Sequence, residues 1–298
     1  MSSVFIGEIR TSTTRLPKSL RLRKSFTKVF DSKVVIVKLR SIVTLLFLFA
    51  AFALCHGNLP ADRLAVLSKY GLPDDQFLKP ADGYLIGSPD RTRCPRWVLE
   101  VLDGKHLAGK AVRGDESWRA DLRVPSEFRT TLKDYEASGF DRGHLAASAD
   151  HTSSEAAQSA TFTLANTMPQ TPELNRGEWK RLEDHLRRRA AESGVVAYVV
   201  TAPIWRIKTD DLKTQWIFAK TIGRGVWVPT HCAKAVLWEV DGKVEAIECW
   251  CLPNDSDHPV DDFQRHRISA DELESISGLD LFAGLPDRIE NELEAVIP

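Results

Sequence analysis

Phe140-Asp141-Arg142-Gly143-His144 runs directly into Leu145-Ala146-Ala147-Ser148-Ala149-Asp150, so a short polar segment ending in a histidine is carried into small, mostly apolar residues. Two later segments give it meaning. The first is Leu164-Ala165-Asn166-Thr167-Met168-Pro169-Gln170, and the second is Leu174-Asn175-Arg176-Gly177-Glu178-Trp179-Lys180-Arg181-Leu182-Glu183. An isolated histidine is more often structural or solvated than functional, so the reading depends on these neighbours.

The second segment opens a helix. Trp179, Leu182, Leu186 and Ala190 recur three and four apart, which predicts a helix over 175–192 with one apolar face and the Arg187-Arg188-Arg189 cluster near its end. Asn175 with Glu178 three positions on reads as an N-cap pair, and Glu183 with Arg187 as an ordinary i,i+4 surface ion pair. On such a helix Glu183 stands about 80° around and two turns along from Asn175.

Alternating apolar runs at 97–102, 161–165, 195–201, 215–222, 226–240 and 244–252 predict strands. They do not alternate with helices as βαβ units, so the expected class is α+β with mostly antiparallel sheets. Asp241-Gly242 between two of the runs is a two-residue hairpin signal. Counting outward from it places Cys232 opposite Cys251, either as a disulfide in an oxidising compartment or as two buried thiols. A thiol hydrolase built on Cys249 or Cys251 with His231 is a weak reading, because a strand-borne cysteine beside Trp250 looks like core.

The chain of 298 residues is 43% hydrophobic and 27% charged, enough for a full core and unlike a disordered or fibrous composition. Its net charge of −1 conceals an asymmetry: residues 1–40 hold ten Lys or Arg against Glu8 and Asp31, leaving an acidic remainder. An acidic body argues against a protein that grips nucleic acid by bulk positive charge. Residues 42–54 are an uncharged apolar run, short for a membrane span and flanked by Lys38 and Arg40. That layout favours a secretory signal, hence a secreted or periplasmic protein. The alternative is a mitochondrial-type presequence ahead of a membrane anchor, with 42–54 as the tether. The expected organisation is a basic extension with signal or anchor over 1–57, a linker over 58–82 with a short helix near 61–70, and one domain over 83–298.

With all three segments in view, the chain resembles the DNA/RNA non-specific endonucleases of the ββα-metal (His-Me) type, and within them the mitochondrial endonuclease G branch. The family pattern is Asp-Arg-Gly-His, Asn-x-x-Pro-Gln and Leu-Asn-x-x-x-Trp-x-x-Leu-Glu, and every fixed position is met in order. The likeness extends from about Gly83 to Phe282. It implies an α+β fold with a ββα finger and a metal-dependent endonuclease acting on the backbone of DNA and RNA, single or double stranded. In that reading His144 is the general base and Asn175 holds one Mg2+, which Mn2+ can replace, leaving 5′-phosphate products. Arg142 contacts phosphate or buttresses the site, Asn166 orients substrate or a metal-bound water, and Glu183 reaches the metal's water shell. An upstream arginine, Arg119 or else Arg113, would stabilise the transition state. Family members are often homodimers. The competing expectation, from another functional class, is a nuclease-like fold that binds without cleaving. A binding module has no physical reason to keep both His144 and Asn175, which favours the enzyme.

Overall fold

The computed structural model describes residues 61–78, 83–111, 118–205, 220–256 and 262–294. The basic extension, the apolar run 42–54, Arg113 and most of the strand expected over 215–222 lie outside the described residues.

The frame is a six-stranded antiparallel sheet of β1 (Tyr84–Ile86), β2 (Val98–Asp103), β5 (Val195–Ile204), β8 (His231–Val240), β9 (Lys243–Pro253) and β10 (Arg267–Ile268), in the order β1-β2-β5-β8-β9-β10. Two small two-stranded ladders accompany it, β3 (Asp141–His144) with β4 (Thr167–Gln170) and β6 (Thr221–Ile222) with β7 (Val226–Trp227). Helices α1 (Ala61–Leu67), α2 (Glu155–Ala160), α3 (Pro172–Arg176), α4 (Glu178–Ala190), α5 (Ala270–Ser277) and α6 (Asp287–Leu293) complete the main elements.

Both faces of the sheet are covered, and the two-residue period of the strands sorts their side chains accordingly. On β8, Cys232, Val236 and Trp238 join the core beneath α4, built with Trp179, Leu182 and Leu186. Ala233, Ala235 and Leu237 point to the opposite core, which α1 and α5 close with Leu67 and Leu273. The stretch 61–78, expected as part of a linker, therefore belongs to the packed body: Leu67 is buried, and Phe77 bridges to Gly87 and sits 6.4 Å from the Trp97 ring.

Asp241 and Gly242 both take positive φ, 47° and 78°, as a primed hairpin turn requires. The register expected from that turn holds for only two pairs, Val240 with Lys243 and Glu239 with Val244; a bulge between Trp238 and Glu239 then shifts β9 by one residue. Cys232 consequently pairs with Leu252, and Cys251 with Ala233. Because a one-residue slip moves a side chain to the other face, the two cysteines lie in different cores. No disulfide joins them, and Cys94, Cys232, Cys249 and Cys251 are all buried thiols.

The helix expected over 175–192 is two helices. Gly177, at ψ −108°, ends α3 and precedes α4. Asn175 is thus in the last turn of the short helix rather than an N-cap, and the 80° relation to Glu183 on one continuous helix does not apply. The segment 161–165, expected as a strand, is a single parallel bridge from Thr163 to Arg119 followed by a 3-10 turn at Leu164–Asn166.

Candidate active site

β3 and β4 pair from Asp141–Gln170 to His144–Thr167, and α3 and α4 follow directly, giving the β-β-α succession that carries the site. The pairing explains the glycine before the histidine. A Cβ at Gly143 would stand 1.9 Å from Gln170 Oε1, so the glutamine closing the second segment can lie across β3 only if that position is bare. Asn254 secures the far end of the finger: its Oδ1 accepts from Thr171 N at 2.9 Å, and its Nδ2 donates to Pro169 O and Pro229 O at 2.9 and 2.8 Å.

An open cleft of about 530 Å³ lies over this finger, lined by Arg142, His144, Asn175 and Glu183. Four residues chosen from sequence thus share one wall of solvent. Asn175 donates from Nδ2 to Asp141 Oδ2 at 2.9 Å. A carboxylate only accepts, so the amide must turn its nitrogen to Asp141, which leaves its oxygen as the end available to a cation. Arg176 completes the arrangement by donating to both oxygens of Asp141 at 2.8 Å.

Glu183 is half-buried in the cleft. Burial pushes its pKa up to about 7; Asp150 and Glu100 add to the rise while Lys234 and Arg187 oppose it. Arg187 does not form the expected surface pair with Glu183. It lines the cleft, and its hydrogen bonds go to Asp150 Oδ1 at 2.5 Å and Asp184 Oδ1 at 2.6 Å, anchoring a guanidinium beside Glu183. The signal for Arg187 was its i+4 spacing from Glu183 on the apolar-faced helix.

His144 stands among aromatic rings: the Trp118 ring is 4.6 Å away and the Phe162 ring 5.2 Å, perpendicular to it. Trp118 and Phe162 are themselves 5.1 Å apart, and the Arg142 guanidinium lies 5.4 Å from the Trp118 ring. These walls come from segments with no motif spacing to His144.

Two expected site residues do other work. Asn166 is fully buried and does not line the cleft. Its Oδ1 accepts from Ala146 N at 2.9 Å, and its Nδ2 donates to Ala146 O and Thr161 O at 3.0 Å each, so both amide protons are used and none is left for substrate or a metal-bound water. It clamps the chain immediately after His144. Arg119 likewise is not among the residues lining the cleft; its Nη2 donates to Ser159 O at 2.8 Å, and its backbone pairs with Phe162 and Leu164. Its contribution is to lay Trp118 and Phe162 side by side next to His144.

Residues 68–288 match the family model of the DNA/RNA non-specific endonucleases. Mitochondrial endonuclease G of Homo sapiens is 36% identical over 217 residues, covering 72% of this chain and 72% of that protein. The Caenorhabditis elegans endonuclease G is 34% identical over 233 residues, 76% of this chain and 74% of its own length, and a nuclease of Nostoc sp. is 30% identical over 236 residues, 76% and 80%. A chain in a crystal structure of the EndoG/EndoGI complex superposes with a TM-score of 0.68 at 30% identity, covering 78% of this chain and 96% of that one.

Proposed function

The chain belongs to the DNA/RNA non-specific endonuclease family and is an endonuclease, and from that premise we propose that it hydrolyses phosphodiester bonds of DNA and RNA with His144 as general base and one Mg2+ held by Asn175, leaving 5′-phosphate ends. The observation that carries this reading is that His144, Asn175 and Glu183 line one cleft while the nitrogen of Asn175 is committed to Asp141.

The remaining donor set, one amide oxygen and one carboxylate with room for water, consists of hard oxygen ligands and suits Mg2+, which sheds water reluctantly; Mn2+ accepts the same donors. Bound there, the ion would neutralise charge on the phosphate and assist the departing 3′ oxygen. The protein supplies the rest. His144, as a neutral imidazole, takes the proton of the attacking water. Its aromatic walls hold the ring in one orientation, so the proton-accepting nitrogen meets the water without a search. Arg142, exposed at the cleft, offers a planar fork to the phosphate oxygens. Arg187, fixed by Asp150 and Asp184, adds a second positive charge where negative charge grows on the pentacovalent phosphate. Contacts of this kind reach the backbone and read little base identity, in keeping with both nucleic acids as substrates. The names of the relatives favour the mitochondrion over export as the destination, and the basic, acid-poor residues 1–40 fit that reading.

Digestion of plasmid and of RNA with Mg2+ or Mn2+, repeated with EDTA and with His144→Ala and Asn175→Ala, tests the mechanism. Cleavage is expected to need the metal and both side chains, and a His144→Ala protein as fast as wild type would defeat it. The mass of the mature N-terminus tests the destination.

A further inference from the structure

On the cleft side of the sheet, β8 presents Cys232, Lys234, Val236 and Trp238, so a lysine occupies a position whose neighbours on that face are apolar. It is 1% exposed. A buried ammonium is tolerated only where its donors are used and its charge is met. Here Nζ donates to Thr201 Oγ1 at 2.7 Å and to Leu145 O at 3.1 Å, lies 4.0 Å from Glu100 Oε1, and stands 5.0 Å from the centroid of the Trp179 ring.

Thr201 is the direct partner of Lys234 on β5, and Glu100 shares the same face one strand further, on β2. Those contacts satisfy the sheet. The contact with Leu145 is of another kind, because Leu145 is the residue after His144 and lies outside the sheet. Asn166 already holds the surrounding backbone: its own carbonyl takes Leu145 N–H at 3.1 Å, and its side chain takes both polar groups of Ala146. The Leu145 carbonyl is the group Asn166 leaves over, and Lys234 binds it with a charge-assisted bond, stronger than one between neutral groups.

We propose that Lys234 is a positioning residue for the nuclease reaction, fixing the end of β3 through the Leu145 carbonyl and thereby the place of the His144 imidazole in the cleft. The proposal rests on His144 being the base. Asn166 from one side and Lys234 from the other hold the two residues after the histidine, while Trp118 and Phe162 hold its ring. The same buried ammonium also acts electrostatically on Glu183, opposing the rise that burial gives its pKa.

The rival explanation is that Lys234 only balances Glu100, and the two separate in a series on the full chain. Glu100→Gln alone keeps the Lys234–Leu145 bond and is expected to hold kcat within about 3-fold of wild type. Lys234→Met combined with Glu100→Gln removes both charges together, so its Tm should stay near that of Glu100→Gln, while kcat falls about 100-fold, the size of effect that a misplacement of about 1 Å produces, with KM nearly unchanged. Wild-type kcat in the double variant, or kcat following Tm across the series, overturns the proposal. If the Met protein does not fold, Lys234→Gln with Glu100→Gln decides: its shorter amide cannot span the same distance, so kcat should drop about 10-fold at near-normal Tm, and an undiminished kcat again refutes the idea. His144→Ala is run alongside. Should that protein cleave like wild type, the base assignment itself has failed and Lys234 has nothing to position, an outcome distinct from any within the lysine series.

Discussion

Asn175 Nδ2 donates to Asp141 Oδ2 at 2.9 Å, and this bond decides which end of the amide the cleft sees. Asp141 is held ionised for the purpose: burial works to raise its pKa, but the hydrogen bonds from Arg176 and Asn175 outweigh burial and keep it below the usual carboxylate value. The aspartate of the Asp-Arg-Gly-His pattern thus serves the asparagine of the third segment, which gives physical content to their occurrence together. Asp141→Ala frees Asn175 to rotate and leaves Arg176 without its partner. Losing an outer partner of a metal ligand commonly weakens metal binding about 10–100-fold. The Mg2+ concentration for half-maximal plasmid cleavage should rise by that order, with activity largely restored at saturating metal. A Mg2+ dependence identical to wild type would show that the amide needs no such orientation.

Asn166→Ala should act through the fold. The substitution leaves Ala146 N–H, Ala146 O and Thr161 O without their side-chain partner in a buried place. Unmet buried groups cost about 1–3 kcal/mol each, so a loss of at least about 2 kcal/mol is expected in denaturant unfolding, with activity declining in proportion to the folded fraction. Full stability with lost activity would return Asn166 to the substrate-contact role first expected of it.

What separates Asn166 from Asn175 marks the limit of what was legible from residues alone. Motif order identified the cleft residues Arg142, His144, Asn175 and Glu183, because the chemistry requires those residue types and the spacing recurs as a set. It could not tell which asparagine faces solvent, since that depends on whether three backbone groups crowd around it. Period and turn chemistry made the antiparallel sheet and the Asp241-Gly242 hairpin readable. The bulge at Trp238 was not, since an extra residue in a strand leaves the alternation on either side intact, and the Cys232–Cys251 pairing failed with it. The break at Gly177 had a visible sign, a glycine between two helical stretches, that the strong apolar period of Trp179, Leu182 and Leu186 overrode.

Stability should vary with pH from two opposite sides. In Glu294 burial, reinforced by Glu274, Glu290, Asp271 and Asp280, lifts the pKa from 4.5 to about 7. The folded state then binds more protons than the unfolded between those values, so unfolding free energy falls as pH rises through that window. In Asp134, burial acts to raise the pKa, but hydrogen bonds from Arg224 and Thr131 depress it well below the carboxylate range. Its stabilisation is present above the unfolded carboxylate pKa of about 4 and is lost as pH drops toward the folded value. Urea unfolding from pH 3 to 8 should give a maximum near pH 5. Glu294→Gln should reduce the decline above it, with Glu183, also lifted to about 7 by burial, supplying the remainder, and should leave the acid limb alone; a decline of undiminished size would exclude Glu294 as a source.

Trp118 has no polar atom that any step of the proposed reaction uses, yet its ring lies 4.6 Å from His144 and 5.4 Å from the Arg142 guanidinium, so two working side chains lean on one indole. It is only half-buried, and its removal opens the cleft rather than the core. Trp118→Ala should therefore leave Tm within a few degrees of wild type while kcat falls about 10–100-fold, the imidazole having lost one wall and the guanidinium its cation–π surface. Trp118→Phe keeps an aromatic face and should recover most of the rate. Phe162, perpendicular to the imidazole and 0% exposed, cannot compensate by moving, because it is packed in the interior. Steady-state cleavage of a short duplex, read beside thermal unfolding, distinguishes the outcomes: an alanine variant with unchanged kcat would mean that Phe162 and the backbone clamp orient His144 without help from Trp118.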